Sequence, residues 1–311
     1  MENNILLRTS KVLTLNLDSR AVYSYLPASA LKWRRKNLLV ARLSNGSKQS
    51  LPALTRKQWI ESCLRNSGVK RVCVDRTLGA DVIKLWADAC HQANKPIFVR
   101  IPSHKSLPRC RQINCWRVKR VFDWLATFVL LIAIAPVMLS IALLIKLFSP
   151  GPVFYCQWRV GERGKLFKMF KFRTMTVDAE LKHGELMASQ DGLHKLENDP
   201  RVTFIGRWLR KYSIDELPQL FNVLRGEMSL VGPRPWALYD ALRLVSKSGK
   251  ARLNALPGVT GAWQVEGRSH LLNLDAVTKW DLDYLNNWSL NKDLKILLLT
   301  VPRVISGFGA Y

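Results

Sequence analysis

The sequence predicts an α/β protein with a small N-terminal α/β domain over residues 1–114, followed by a mostly helical α+β domain over residues 115–311 that begins with a membrane helix. Three features carry this expectation. Short apolar runs alternate with helical patterns before Cys115, a long apolar run extends from Val121 to Phe148, and basic strands and amphipathic helices fill the remainder.

In the first part, Leu38-Leu-Val-Ala-Arg-Leu43, Val69-Lys-Arg-Val-Cys-Val-Asp75 and Lys95-Pro-Ile-Phe-Val-Arg-Ile101 have the composition of short strands. Thr55 to Asn66 and Ala80 to Ala93 carry apolar residues at helical spacing, and each leads into a strand through a Ser-Gly or Asn-Lys-Pro turn. That order predicts a parallel sheet. No GxGxxG or P-loop comes after any of these strands, so the expected role is regulation or docking rather than nucleotide binding. A segment rich in Pro, Arg and Cys, Ser103 to Trp116, links this domain to the membrane helix.

Val121 to Phe148 is almost wholly apolar, with Asp123 near its start, Pro136 near its middle and Lys146 near its end. A straight helix of that length reaches about 40 Å, enough to cross a bilayer core of about 30 Å. Both flanks are basic, however: Arg109, Arg111, Arg117, Lys119 and Arg120 precede the run, and Lys146, Arg159, Arg163, Lys165, Lys168 and Lys171 follow it. Such charge marks the cytoplasmic side, and here it marks both ends. Pro136 removes a helical N–H and divides the run into halves of about 20 Å, each too short to span. The expectation is a re-entrant helix over about 119–148, broken at Pro136, in preference to a simple span.

Beyond the Ser149-Pro-Gly-Pro152 turn, Val153 to Gly161 and Phe167 to Met175 read as strands. In the second, Phe170 and Phe172 alternate with Lys171 and Arg173, which makes either a cationic row facing a ligand or a solvated strand face. Thr203 to Tyr212 and Leu294 to Ile305 are amphipathic helices suited to a lipid interface. Between them, Asp215 and Glu216 close a basic stretch beginning at Arg207. Carboxylates among arginines can stay ionised, hold a divalent cation or attack phosphorus. Ser213-x-x-Glu216 is also a capping box, with Ser213 as N-cap of a helix that tolerates Pro218 in its first turn.

Forty-eight Lys and Arg against 23 Asp and Glu give a net charge of +25, which implies a polyanionic partner: nucleic acid, an anionic membrane or phosphorylated substrates. With 48% hydrophobic residues in 311, the chain has room for two cores and is no disordered basic tail. Its six cysteines form no CxxC pair, so free thiols in a reducing cytosol are expected. Met1 to Thr9 has no secretory pattern, which predicts a cytoplasmic start.

Several blocks now stand in one order: Lys119-Arg-Val-Phe-Asp123 before the apolar run, Gln157-x-Arg159-x-Gly161, Lys171-Phe-Arg-Thr-Met175 and Asn198-Asp-Pro-Arg201. They continue with Ser213-Ile-Asp-Glu-Leu-Pro-Gln-Leu-Phe-Asn222, Met228-Ser-Leu-Val-Gly-Pro-Arg-Pro235, Pro257-Gly-Val-Thr-Gly261 and Gln264-Val-x-Gly-Arg268. In these blocks the last two-thirds of the chain resembles the bacterial sugar transferase family, the monotopic polyprenyl-phosphate phosphoglycosyl transferases that initiate surface-glycan assembly. The first 110 or so residues are not covered.

The resemblance implies transfer of a sugar 1-phosphate from a nucleotide sugar to polyprenyl phosphate, with Mg²⁺, by a catalytic domain on the cytoplasmic face of the bacterial inner membrane. It places the catalytic dyad on Asp215 and Glu216, which are also the candidate metal ligands. It places phosphate-handling cations on Lys171, Arg210 and Arg234, with Arg173 a further candidate in the same cationic row, and the helix-breaking proline on Pro136. Ala135 precedes that proline where many members have Ser, so a hydroxyl able to bond a freed carbonyl is missing. Expected partners are polyprenyl phosphate, a nucleotide sugar, inner-membrane lipids and, through the N-terminal domain, other glycan-assembly proteins; a homodimer is allowed and nucleic acid is not expected. Two rivals compete with this reading: a membrane-tethered nucleic-acid binder, favoured by charge, and a catalytically silent scaffold.

Overall fold

Residues 29–34, 36–42, 56–100, 113–179, 199–243, 251–266 and 274–306 are described by the structure, a computed structural model. They group into two compact units. The first holds the N-terminal sheet. Strands β1 (Ser29–Arg34) and β2 (Asn37–Arg42) form an antiparallel hairpin, with Arg34 opposite Asn37. Helix α1 (Lys57–Arg65) leads to β3 (Arg71–Asp75), parallel to β2, and α2 (Ala80–Gln92) leads to β4 (Ile97–Arg100), parallel to β3. The sheet order is therefore β1-β2-β3-β4. Val40, Val72, Val74 and Val99 from the strands and Ile60, Ile83 and Trp86 from the helices are buried together as its core.

The expected parallel strands and both helices are present. Strand β1 is an addition, and the reason it is hard to read is physical: an edge strand needs no continuous apolar run, and Trp33 within it is 49% exposed. Of the described residues, the first unit also takes in 163–166 and 237–243. Leu43, the 103–112 part of the expected linker and Met1 to Thr9 lie outside the described residues.

The second unit is organised by α3 (Ile113–Phe148), whose 36 residues make a rod of about 54 Å. Its composition and length suffice to cross a membrane. The helix passes through Pro136 without leaving helical backbone, so the two expected halves are one continuous element with a proline inside it. Ser140 Oγ donates to the Pro136 carbonyl at 3.0 Å, a back-bond of the kind that bends helices.

One face of α3 is buried along both halves. Lys119, Asp123 and Thr127 begin the stripe, and Met138, Ile141 and Ile145 continue it beyond the proline at spacings of three and four. Phe122, Phe128, Ile132, Val137, Leu139, Leu143 and Leu147 cover the remaining surface and are exposed. The root of the helix is held by charge: Lys119 Nζ donates to Asp293 Oδ2 at 2.6 Å and to the Val231 carbonyl at 3.1 Å. Asp293 also accepts from Tyr284 Oη at 2.6 Å and from Trp288 Nε1 at 3.1 Å, while Asp123 accepts from Ser229 Oγ at 2.6 Å. Buried charges are tolerable when bonded this fully.

After α3 come β5 (Phe154–Val160), β6 (Leu166–Phe172), α4 (Phe204–Lys211), α5 (Gln219–Leu224), β7 (Ser229–Val231) and β8 (Trp236–Ala237). The short helix α6 (Leu238–Arg243) belongs to the first unit. Strand β9 (Gly258–Thr260), α7 (Ala262–Glu266), α8 (Leu274–Asn286) and α9 (Leu290–Ser306) complete the order. One sheet has the order β6-β5-β8, and β7 pairs parallel with β9, Val231 opposite Thr260. Helix α4 starts where Thr203 Oγ1 accepts from the Gly206 N–H at 3.0 Å. Gly206 is fixed by close approach, since a Cβ there would lie 2.0 Å from the Thr174 carbonyl oxygen. The amphipathic helices expected at 203–212 and 294–305 are α4 and α9. Phe204 and Trp208 on α4, and Leu294, Leu298, Val301 and Ile305 on α9, form exposed apolar stripes.

Candidate active site

Lys171 is the penultimate residue of β6, and this strand sits at an edge of its sheet. Asn222 of α5 is fully buried and uses its side-chain amide to complete that edge. Its Oδ1 accepts from the Phe170 N–H at 3.1 Å and its Nδ2 donates to the Lys168 carbonyl at 2.7 Å. The helix that comes after the acidic pair is thereby bolted to the strand that carries Lys171.

The acidic pair sits in a tight 3₁₀ turn, Ile214–Glu216, rather than in the first turn of an α-helix. This corrects the expected capping box. Ser213 adopts a left-handed conformation, φ 53°, makes no side-chain cap, and lies just past the end of α4, where its N–H bonds the Arg210 carbonyl at 3.0 Å. Its backbone ends α4 and also opens the 3₁₀ turn, where the Glu216 N–H donates to its carbonyl at 3.2 Å, but its side chain supplies no cap. Helix α5 begins only at Gln219, with Pro218 as N-cap, because Pro218 accommodates the approach to a helix but not its interior.

Two cations converge on Glu216. Lys171 Nζ donates to Glu216 Oε1 at 2.6 Å, and Arg234 Nη2 reaches the same oxygen at 3.4 Å. Lys171 Nζ lies 3.8 Å from Asp215 Oδ2. Asp215 is only 8% exposed. Burial holds its carboxyl above the ordinary aspartate value; Lys171 pulls it down, Glu216 pushes it up, and Arg210 and Arg234 pull it down again. Arg210 Nε donates to Thr174 Oγ1 at 2.9 Å, so this guanidinium is oriented from the strand end beside Lys171.

Arg173 is placed differently. Strand β6 ends at Phe172, and the Arg173 guanidinium donates to the carbonyls of Pro150 at 2.9 Å and Ser149 at 2.5 Å in the turn after α3. The alternating row is thus neither a solvated face nor a single cationic surface: Lys171 meets the acidic pair and Arg173 clamps the turn. Pro136 lies on α3, while Asp215, Glu216, Lys171, Arg210 and Arg234 form one cluster of charge.

A small cavity beside the pair is lined by Arg159, Glu216, Gln219, Arg234 and Gln264 among others. At about 10 Å³ it holds about one water, so it is a dent beneath the cluster rather than a chamber for a nucleotide. Arg159 and Gln264 were legible in the sequence only as members of motif blocks, since neither belongs to an acid–base pattern. No cluster of three or more His, Cys, Asp or Glu side chains able to hold a metal occurs among the described residues. The donor set still fits Mg²⁺ as an ion shared with a substrate, because Mg²⁺ takes one or two carboxylates and completes its shell with phosphate oxygens and water. Asn198, Gly267 and Arg268 of the motif blocks lie outside the described residues.

A family model described as "Bacterial sugar transferase" matches residues 114–307, and the chain belongs to that family. Galactosyl transferase CpsE of Streptococcus agalactiae is 47% identical over 163 residues, covering 51% of this chain and 36% of that protein. Undecaprenyl-phosphate glucose phosphotransferase of Komagataeibacter xylinus is 41% identical over 246 residues, covering 74% and 44%. UDP-glucose:undecaprenyl-phosphate glucose-1-phosphate transferase of Caulobacter vibrioides is 43% identical over 201 residues, covering 62% and 72%. The chain thus spans less than half the length of the first two relatives.

Proposed function

We propose that the protein is a polyprenyl-phosphate glycosyl-1-phosphate transferase. It takes a sugar 1-phosphate from a nucleoside diphosphate sugar, a UDP-sugar by the chemistry named for the Caulobacter relative, and passes it to undecaprenyl phosphate. This is the first membrane step in building an exopolysaccharide, capsule, O-antigen or related glycoconjugate. The observation that carries the reading is the buried Asp215 beside Glu216 under Lys171, Arg210 and Arg234. Such a group is poorly solvated, close to cations, and suited to attack an anionic phosphorus.

In the proposed reaction an Asp215 carboxylate oxygen forms a bond to the sugar-bearing β-phosphorus. The bond from that phosphorus to the bridging oxygen breaks, and its electron pair leaves with the nucleoside monophosphate. A phosphate oxygen of the lipid then attacks the same phosphorus, the bond to Asp215 breaks, and the carboxylate is regenerated. Lys171 and Arg234 neutralise the phosphoryl oxygens, and Arg210 adds field from the end of α4. Asp215 and Glu216 would hold Mg²⁺, which when bound supplies further neutralisation of the diphosphate.

The reading assigns α3 a re-entrant course, with the catalytic unit on the cytoplasmic face of the inner membrane. Both basic flanks support it, as does the burial of one face on either side of Pro136. Residues before the proline pack with Leu220, Leu230 and Trp288, and Met138, Ile141 and Ile145 beyond it pack with Phe172 and Leu209 of the same unit. A helix crossing the bilayer would carry its second half away from that unit. The exposed stripes of α4 and α9 would lie at the headgroup level. The N-terminal unit, without a P-loop, is assigned to docking or regulation.

The test is nucleoside monophosphate release in detergent with Mg²⁺, undecaprenyl phosphate and a panel of nucleotide sugars. Repeated turnover that needs the lipid, one donor and Asp215 is expected, with at most about one equivalent of nucleoside monophosphate released per protein before the lipid is added. Equal release from Asp215→Asn would remove Asp215 as nucleophile, and a folded, lipid-bound protein inert to every donor would favour the scaffold.

A further inference from the structure

Arg234 approaches Glu216 at 3.4 Å, with its guanidinium 5.9 Å from the centre of the Trp263 ring and its side chain 38% exposed. These contacts are too loose to set its place. Its main chain is held far more firmly. Three successive carbonyls each accept a hydrogen bond: Pro233 from the Gly258 N–H at 2.9 Å, Arg234 from Arg252 Nη2 at 2.7 Å, and Pro235 from Arg159 Nη1 at 3.2 Å. Prolines on both sides fix φ at 233 and 235, and a residue before proline is confined to extended backbone, so the segment can be clamped with little further loss of freedom.

The central bond has an unusual donor. Arg252 is 2% exposed and its Nη2 also lies 2.5 Å from Asp281 Oδ2, itself on a 2% exposed side chain. The contact with Asp281 is an ion pair between two buried side chains. Arg252 Cζ is 3.8 Å from the centre of the Trp236 ring, and its Nε and Nη1 are buried without a hydrogen-bond acceptor. Two stranded donors carry a desolvation cost that an apolar side chain of similar length would avoid. What the guanidinium adds is one nitrogen placed between the Asp281 carboxylate and the Arg234 carbonyl.

We propose that Arg252, anchored by Asp281, is a positioning residue that fixes Arg234 beside the acidic pair. The inference rests on the reading of Arg234 as a phosphate-handling cation. Arg252 does not touch substrate; it acts through the backbone of residue 234. Lysine in its place would keep a charge for Asp281 but lose the planar fork and the stack on Trp236. The apolar pair Arg252→Met with Asp281→Leu would remove both charges together and leave neither stranded.

The experiment is a double-mutant cycle on the full chain in detergent and lipid, with thermal unfolding as the fold control. Arg252→Lys and the Met/Leu pair are each expected to lower turnover about tenfold, and by less than about twofold when Arg234→Ala is already present, because effects that act through one residue do not add. Equal losses with and without Arg234 would overturn the proposal, as would full turnover in both variants. A second readout needs no turnover: the rate at which phenylglyoxal modifies Arg234, read by peptide mass spectrometry. Release of the clamp is expected to change that rate by about threefold or more in either variant, and an unchanged rate would overturn the clamp. A wild-type chain inert to every donor would defeat the transfer reading alone, leaving the clamp to be decided by the modification rate.

Discussion

Replacing Lys171 with Met removes the cation shared by the acidic pair. Lys171 Nζ lies 2.6 Å from Glu216 Oε1 and 3.8 Å from Asp215 Oδ2. With an effective dielectric of about 20, those separations correspond to roughly 6 and 4 kcal/mol of Coulomb attraction. Most of that is offset by the desolvation of an ammonium whose side chain is only 18% exposed, and Arg234 at 3.4 Å from the same Glu216 oxygen takes up part of the rest. A net loss of about 2 kcal/mol is expected, which for a unit of this size lowers Tm by roughly 4–8 °C. Turnover should fall by about 10²–10³, the scale of one lost oxyanion donor.

The pH profile gives the sharper reading of Lys171→Met. Lys171 is the largest influence pulling the Asp215 carboxyl down, so its loss must move the acid limb of turnover to higher pH. Lys171→Arg keeps the ion pair and should keep the limb near its wild-type position. Nucleoside monophosphate release measured across pH, with unfolding tracked in the same detergent, makes both comparisons. An acid limb that stays put or moves down, or a Tm within about 1 °C of wild type, would refute the geometry on which the reasoning rests.

Asp215→Asn should be more stable than wild type at neutral pH. The folded aspartate is raised above its ordinary 3.8, so its stabilising contribution is full below the unfolded value and is lost as pH rises through the folded one; the variant's advantage must therefore shrink on acidification, as thermal unfolding from pH 8 to pH 4 would report. Asn222→Ala leaves the Phe170 N–H and Lys168 carbonyl without their buried partner and should cost about 2–4 kcal/mol, with turnover falling alongside because Lys171 is next on that strand. Gly206→Ala sets a Cβ 2.0 Å from the Thr174 carbonyl and should destabilise by about 2–4 kcal/mol, which denaturant titration would measure.

Much of this molecule was legible because periodicity and sign survive folding. The helical spacing of Ala80 to Ala93 and the strand at Val69 to Asp75 recur as α2 and β3, and Val121 to Phe148 falls within α3. The meeting of Lys171, Asp215, Glu216 and Arg234 was indicated by the family blocks. Periodicity alone could not bring together residues 45 and 18 positions apart. The features that were not legible depend on backbone detail. Ser213-x-x-Glu216 satisfies the letter of a capping box, but Ser213 takes a left-handed φ that composition does not encode and its side chain makes no cap. Arg173 looks equivalent to Lys171 in the alternation, yet β6 ends between them and the two side chains take different partners. Asn222 and Arg252 act through bonds to the main chain of distant segments, with Asp281 anchoring the arginine, and such contacts leave no mark on local pattern.

The central claim is that Asp215 carries the sugar phosphate. Mixing the full-length protein with its nucleotide sugar and Mg²⁺ in the absence of lipid acceptor, quenching in acid and weighing the peptide that contains Asp215 would test it most directly. The account predicts a gain of one phosphosugar on Asp215, discharged when undecaprenyl phosphate is added and absent from Asp215→Asn. A chain that releases nucleoside monophosphate only when the lipid is present, with no adduct trapped on Asp215, would contradict it and favour direct attack by the lipid phosphate.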